Sequence, residues 1–209
     1  MHNKIKLYCI TTDRQDLSHE EQADLACAGG ADAVRLRTKK LSAREIISVG
    51  RRIKDICAGR NVLFMLDDRP DLALAVDPDG LHLGQDDAPV SIARSILGRR
   101  KIISCAVSTL GQALAAESEG ANIVMVGPIF GASAAQRKEA RGLDIIRMVK
   151  ERLKIPVVAS GGIDGSNIDE ALDAGVDGIA VKKAVCGARQ VREAAKALKD
   201  LILKRIVQE

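Results

Sequence analysis

Eight short apolar segments alternate with longer charged segments along the whole chain, and this alternation restricts the possible folds most. Runs rich in β-branched residues predict strands, and the amphipathic stretches between them predict helices. Repeated βα units of this kind favour parallel strands, and eight of them in 209 residues predict an α/β protein with a single (β/α)8 TIM barrel. A doubly wound open sheet is the alternative. The predicted strands are residues 5–11, 33–37, 62–67, 80–84, 102–107, 123–127, 157–160 and 178–182.

A recurring joint and the best-marked helix support the closed fold. Residues 42–57 place Ile46, Val49 and Ile53 on one face, and Ser42 with Glu45 matches a capping box. Residues 166–174 and 190–206 predict further helices. A glycine turn between a helix and the next strand recurs three times, which favours a closed repeat. The three copies are Gly30-Ala31-Asp32, Gly120-Ala121-Asn122 and Gly175-Val176-Asp177.

Composition narrows the function classes. Lys and Arg number 32 against 28 Asp and Glu, with the signs interspersed, so no basic surface for nucleic acid is expected. The aromatic residues are only Tyr8, Phe64 and Phe130, too few for stacking on bases. No apolar run approaches the roughly 20 residues of a membrane span, and no leader is visible. We expect a cytoplasmic protein without nucleic-acid or membrane partners, and a homo-oligomer remains open.

The chain is expected to form one domain over residues 1–209, because no Pro-rich or Ser-rich linker divides it. Five widely spaced cysteines without a C-x-x-C pair are expected to be reduced thiols. Function in a barrel of this type belongs to the loops after the strands, so the candidate site residues are sought there.

Three cations follow the second predicted strand. Arg35, Arg37 and Lys39 share one face by the two-residue period of a strand, whereas Val34 and Leu36 face the helices. Cations crowded at a barrel mouth repel one another unless an anion is supplied, which predicts a site for an anionic ligand. The alternative is that these cations point into solvent or pair with nearby acids.

Acidic residues follow the third and fourth strands. Asp68 and one of Asp86 and Asp87 can converge, because consecutive barrel strands are neighbours. Mg²⁺ is held by one or two carboxylates together with water and phosphate oxygens, so a magnesium site is one interpretation. The other is that these acids favour the starts of the following helices.

A glycine pair and two lysines follow the last two strands. Gly161 and Gly162 expose backbone N–H groups, and Lys182 and Lys183 come from the adjoining strand, so together they predict a phosphate site. A tight turn, or a Schiff-base lysine, is the alternative. No Cys/His or Ser/His/Asp arrangement is visible, and His82 on a strand is more typical of a packed residue. Metal and cations acting on a small phosphorylated substrate are therefore expected to drive the chemistry.

These residues resemble the thiamine phosphate synthase family (thiamine-phosphate pyrophosphorylases) over nearly the whole chain. The resemblance implies a barrel enzyme that joins hydroxymethylpyrimidine pyrophosphate to a thiazole phosphate and releases pyrophosphate, with Mg²⁺ as cofactor. It rests on residues 7–11, 35–39, 67–73, 80–87, 127–130, 155–163 and 178–181, which read LYCIT, RLRTK, DDRPDLA, GLHLGQDD, GPIF, IPVVASGGI and GIAV.

The resemblance also implies roles for particular residues. Asp68 and Asp87 match the metal carboxylates of the family. The residues around the pyrimidine pyrophosphate correspond to Arg35, Arg37, Lys39 and Asp67, and those around the thiazole phosphate to Gly162, Lys182 and Lys183.

Several positions depart from the family pattern. Gln is usual where this chain has Arg35, Asn where it has Asp67, and Ser where it has Lys183. The loop after Phe130 usually carries two threonines and a lysine for phosphate, and this chain has alanines there. Arg137, Lys138 or Arg141 could compensate, with Lys138 as the candidate substrate ligand, and an ordinary solvated loop is the alternative. A non-catalytic phosphate-ligand binder and a thiazole tautomerase-like protein are therefore alternatives to the synthase. The substituted positions are Ala132, Ala134 and Ala135.

Overall fold

The chain folds into a closed barrel of eight parallel strands. A computed structural model describes residues 6–130 and 142–207. Each strand pairs with its sequence neighbours, and β1 pairs with β8, so the sheet has no free edge. The predicted (β/α)8 barrel is confirmed, and the open sheet is excluded. The strands are β1 (Leu7–Ile10), β2 (Ala33–Leu36), β3 (Leu63–Asp67), β4 (Gly80–Leu83), β5 (Ile102–Val107), β6 (Ile123–Val126), β7 (Val157–Ser160) and β8 (Gly178–Val181).

Helices follow the strands and cover the outside of the barrel. The second helix begins after Ser42, whose side chain and that of Glu45 form the predicted capping box. The helix predicted over residues 166–174 is shorter, because the Asp164 carboxylate accepts from the backbone N–H and hydroxyl of Ser166 and holds this stretch in a turn. The described helices are α1 (His19–Ala28), α2 (Ala43–Ala58), α3 (Pro70–Val76), α4 (Val90–Leu97), α5 (Leu110–Ser118), α6 (Asp144–Arg152), α7 (Ile168–Asp173) and α8 (Val191–Val207).

The strands are buried on both faces, as expected for a parallel barrel. Val34 and Leu36 belong to the apolar cluster between sheet and helices, as predicted. Tyr8, Met65 and Met125 belong to a second cluster inside the barrel. Arg35, which lies between Val34 and Leu36, therefore points inward. The alternation explains how a charged side chain comes to lie at the centre of the molecule.

The recurring joint has a defined structural role at the amino ends of the strands. At each copy the Asp or Asn side chain accepts a hydrogen bond from the backbone of the preceding strand, so neighbouring strands are tied together at their starts. Asp79 does the same without the preceding glycine. The bonds run from Leu7 N to Asp32 (2.8 Å), Phe64 N to Asp79 (2.8 Å), Ile103 N to Asn122 (2.9 Å) and Val157 N to Asp177 (2.8 Å).

All five cysteines are buried and free, in agreement with the prediction of reduced thiols. Across residues 6–130 and 142–207, no helix has the length and apolar character that crossing a membrane requires.

Candidate functional site

A cavity of about 1030 Å³ opens where the strands end. It gathers side chains from the ends of β2, β4, β7 and β8, which lie far apart in the sequence. Six of the predicted site residues line it, namely two arginines, two glycines and two lysines. Its lining among the described residues is Ile10, Arg35, Arg37, His82, Ala106, Met125, Phe130, Ser160, Gly161, Gly162, Ile163, Asp164, Asn167, Ala180, Val181, Lys182, Lys183 and Ala184.

Arg35 and Asp67 form a buried ion pair beside this cavity. Arg35 Nε lies 3.0 Å from Asp67 Oδ1, and each side chain is only 5% exposed. Arg37 Nη1 lies 3.7 Å from the other oxygen of the same carboxylate. These two cations of the run are thus paired with a local acid, and both also line the cavity. Asp67 itself does not line the cavity.

The pair is close but poorly satisfied by hydrogen bonds. Arg35 Nε and both carboxylate oxygens of Asp67 lack an aligned hydrogen-bond partner among the described residues, although the two charges are in contact. Burial raises the pKa of Asp67 to about 6, although the positive charge of Arg35 opposes the rise. An ionised carboxylate in this position therefore depends on the arginine.

Asp68 and Asp87 lie close enough for their carboxylates to interact, although neither lines the cavity. Lys39 Nζ lies 3.5 Å from Asp68 Oδ2, and the lysine side chain is 72% exposed. Asp87 accepts a hydrogen bond from the Gly84 N–H at 2.6 Å. Partial burial raises the pKa of Asp87, the Gly84 N–H opposes the rise, and the nearby charge of Asp68 adds to it. Two carboxylates that repel each other in this way suit a divalent cation.

The glycine loop after β7 requires glycine for steric reasons. Gly161 and Gly162 both have φ in the left-handed region, at +90° and +75°. A Cβ on Gly161 would also lie 2.6 Å from Pro128 Cα. Asn167 Nδ2 donates to the Gly162 carbonyl at 2.9 Å and holds the loop in place. The loop backbone therefore forms one wall of the cavity at close range.

Lys182 and Lys183 bring positive charge to the same wall. Burial lowers the pKa of Lys182, and the charges of Arg37, Lys183 and Arg35 lower it further. Mutual repulsion of this kind is relieved when an anion binds between the cations. The cavity thus favours an anionic ligand on physical grounds.

His82 lies inside the barrel and does not suit acid–base chemistry near neutral pH. Its Nδ1 is 2.8 Å from Ser104 Oγ. Burial, followed by the charges of Arg35 and Arg37, lowers its pKa well below the usual value. The side chain is packed and only 4% exposed, as expected from the sequence, and it also lines the cavity.

Two residues of the cavity lining were not predicted from the sequence. Other predicted positions lie outside the described residues. Asp164 and Asn167 line the cavity. Their spacing after the Gly-Gly turn is a signal that could have revealed them, because Asp and Asn favour such turns. Lys138, proposed to compensate for the substituted loop, lies outside the described residues. So do the other substituted or compensating positions, Ala132, Ala134, Ala135, Arg137 and Arg141.

Cations outnumber acids around the cavity, at the end of the barrel where (β/α)8 proteins bind their substrates. The molecule is thus a barrel built to bind small anionic molecules at the carboxyl ends of its strands. A family model described as thiamine monophosphate synthase matches residues 7–185. The chain belongs to this family.

Individual relatives agree with the family model. The chain is 41% identical over 202 residues to the thiamine-phosphate synthase of Pyrococcus furiosus, covering 97% of each. It is also 41% identical to that of Coprothermobacter proteolyticus, covering 95% of each. A solved structure of thiamine phosphate pyrophosphorylase from Pyrococcus furiosus superposes with a TM-score of 0.90 at 40% identity, covering 97% of this chain and 98% of that one. The predicted family is confirmed, and a synthase-type transferase is favoured over a non-catalytic binder or a tautomerase.

Proposed function

We propose that this protein couples hydroxymethylpyrimidine pyrophosphate with a thiazole phosphate, giving thiamine phosphate and pyrophosphate. Family membership supports the reaction class. The observation that carries the proposal is the single cavity lined by Arg35, Arg37, Lys182 and Lys183. Its cations come from two parts of the lining, the end of β2 and the segment after β8, which can bind the phosphates of two substrates.

Different parts of the site are proposed to bind the two substrates. Arg35, Arg37 and Lys39, with Asp67 behind them, are proposed to hold the pyrimidine pyrophosphate. The part of the lining that follows β7 and β8 is proposed to hold the thiazole phosphate through Gly161, Gly162, Lys182 and Lys183. Lys138 remains a predicted substrate ligand.

Mg²⁺ is the proposed cofactor, and Asp68 and Asp87 would hold it. The residues fit because two carboxylates lie close together, and partial burial, with the nearby charge of Asp68, raises the pKa of Asp87. Within the described ranges no cluster of three or more His, Cys, Asp or Glu side chains forms a metal site. Mg²⁺ commonly uses one or two carboxylates and takes its other ligands from water and phosphate. When bound it would stabilise negative charge on the pyrophosphate.

The proposed reaction needs a stabilised leaving group more than a base. The bond between the pyrimidine methylene carbon and the pyrophosphate oxygen breaks, and its electron pair leaves with pyrophosphate. The thiazole nitrogen then donates its lone pair to that carbon. Arg37 and Lys39 can stabilise the departing charge. His82 has a pKa well below its usual value, in keeping with a reaction that requires no proton transfer there.

The remaining proposals concern the setting of this activity. Small phosphorylated molecules are the proposed partners, in a cytoplasmic protein that binds neither nucleic acid nor membranes. The near balance of 32 basic and 28 acidic residues supports this. A single domain over residues 1–209 and a homo-oligomer remain predictions.

The test is pyrophosphate release by the purified protein with both precursors and Mg²⁺. Release should require both substrates, and Asp68→Ala should lower kcat/KM at least about 100-fold. Asp86→Ala, an exposed neighbour of the same type, is the matched control and should resemble the wild type. Binding of either precursor without turnover would contradict the proposal and leave a non-catalytic binder. Absence of both binding and turnover would show that the ligand is different.

A further inference from the structure

A hydrogen-bond network outside the cavity anchors the β2–α2 loop, which carries Arg37 and Lys39. Its centre is Asp13, in the loop between β1 and α1. Asp13 Oδ1 accepts from Thr38 Oγ1 at 2.6 Å and lies 3.2 Å from His19 Nε2. Asp13 Oδ2 accepts from the Lys39 backbone N–H at 3.0 Å. One carboxylate thus holds two consecutive residues of the β2–α2 loop.

The network continues through Thr11 to Arg37. His19 Nδ1 lies 2.8 Å from Thr11 Oγ1, which accepts from the Arg37 backbone N–H at 3.2 Å. The tautomer with hydrogen on Nε2 satisfies every contact, because His19 then donates to Asp13 and accepts from the Thr11 hydroxyl. Thr11 is fully buried, so this Thr-His-Asp chain cannot present a nucleophile to a substrate. The network therefore acts on the loop backbone.

The start of α1, which carries His19, is itself stabilised by hydrogen bonds. Ser18 and Glu21 form a capping box at the start of α1, directly before His19. Gln22, fully buried, accepts from the Thr12 N–H at 2.9 Å and donates to the Thr12 carbonyl at 2.9 Å. On the loop side, the Lys40 N–H donates to Thr38 Oγ1 at 3.1 Å. Hydrogen bonds thus join the β1–α1 loop to the β2–α2 loop, although Asp13 and Thr38 lie 25 residues apart in the sequence.

We propose that Asp13 is a positioning residue for anion binding: it holds residues 37–40 so that Arg37 and Lys39 converge on the pyrophosphate. The inference rests on the proposed function for the identity of the anion. Asp13 acts through these two cations and does not line the cavity. Long exposed cations lose conformational entropy when they bind, and a fixed backbone lowers that cost.

The state of Asp13 agrees with this role. Burial raises its pKa, but hydrogen bonds from Thr38, Lys39 and His19 outweigh burial and leave the pKa below its ordinary value. The group therefore stays a carboxylate at neutral pH and can accept from its three donors together.

The test measures calorimetric binding of inorganic pyrophosphate to the full chain with Mg²⁺. Asp13→Ala and Thr38→Val should each weaken binding about tenfold, as loss of supporting hydrogen bonds around a binding group commonly does. Thr38→Ser keeps the hydroxyl and should restore wild-type affinity. Asp177→Ala removes a carboxylate that accepts a backbone N–H at the other end of the barrel. It should lower the melting temperature without changing affinity.

Steady-state kinetics with the proposed substrates separates positioning from general damage. The KM for the pyrimidine pyrophosphate should rise in Asp13→Ala and Thr38→Val, while the KM for the thiazole phosphate stays unchanged. If the wild type binds pyrophosphate but turns over no substrate, weaker binding in both variants still supports Asp13 while the proposed function fails. Wild-type affinity in folded Thr38→Val, or no pyrophosphate binding by the wild type, overturns the inference.

Discussion

The two ends of the barrel use their carboxylates differently. At the amino ends of the strands, Asp32 accepts backbone N–H groups from Lys6 and Leu7, at 2.9 and 2.8 Å, and pairs with Lys199 at 2.5 Å. At the carboxyl ends, Asp67 lies buried against Arg35 without an aligned hydrogen bond. The first end satisfies its polar groups within the chain. The second keeps buried polar groups that lack aligned hydrogen-bond partners among the described residues.

This difference separates stability from function along the barrel axis. Groups that are satisfied internally contribute to folding, whereas groups left partly unsatisfied lower stability and are retained where they serve binding. Removing a charge from either end tests this separation. Three single substitutions do so, in order of decreasing expected loss in the free energy of unfolding.

The largest effect is expected from Arg35→Met, which leaves Asp67 buried without a counter-charge. The free energy of unfolding should fall by about 3 kcal/mol at pH 8. Asp67 already has a folded-state pKa of about 6, above its unfolded value. Its contribution to the free energy of unfolding is therefore fully present below about pH 4 and is lost as the pH rises through 6. Without Arg35 that pKa rises further. Urea denaturation should show a deficit that grows as pH rises.

The double variant Arg35→Met with Asp67→Leu sharpens this result. Replacing a whole buried ion pair by apolar side chains is often neutral or stabilising, so most of the lost stability should return, while activity stays low. A double variant as unstable as Arg35→Met would show that the pair contributes to folding after all, and that the two ends are alike.

A smaller effect, about 2 kcal/mol, is expected from Asp32→Ala at the opposite end. Two backbone N–H groups, those of Lys6 and Leu7, lose their acceptor, and partly buried donors without a partner are costly. Denaturation should report the loss, and KM for both substrates should stay at the wild-type value. Asp32→Asn keeps an acceptor oxygen and should lose less. A changed KM in Asp32→Ala would contradict the separation of roles.

The smallest effect on stability is expected from Lys39→Ala. Its side chain is 72% exposed and pairs with Asp68 at 3.5 Å, so the free energy of unfolding should change by less than about 0.5 kcal/mol. Pyrophosphate affinity should nevertheless fall and lose part of its salt dependence. Lys40→Ala, an exposed neighbour, is the matched control. Equal affinities of the two variants would remove Lys39 from the site.

Regular features of the fold followed from the sequence because they repeat locally. All eight strands and the Ser42 cap could be predicted, since short apolar runs and helix capping depend on neighbouring residues. The joint was visible as a glycine turn, but its hydrogen bonds to the preceding strand were not. Those bonds connect residues about 20 apart, and no local pattern encodes them.

The candidate site was only partly predictable for the same reason. The sequence favours an anionic ligand as the partner of Arg35, with a nearby acid as the alternative, and in the structure Asp67 of the neighbouring strand pairs with it. The partnership depends on the inward direction of both side chains and on barrel register. The hydrogen bond from Thr38 to Asp13 joins two loops that are separated in the sequence by α1 and β2. Distances of this kind arise only after the barrel closes.

Closure through β1 and β8 also bears on how the chain is made. Leu7 pairs with Ile179, so the first strand waits for a partner that leaves the ribosome roughly 170 residues later. At about 5 to 20 residues per second, that delay is roughly ten to thirty seconds. During this delay, one edge of β1 exposes unpaired peptide groups, together with apolar side chains that are buried once the barrel closes. Nascent chains of this protein are therefore exposed to off-pathway strand pairing until translation is nearly complete.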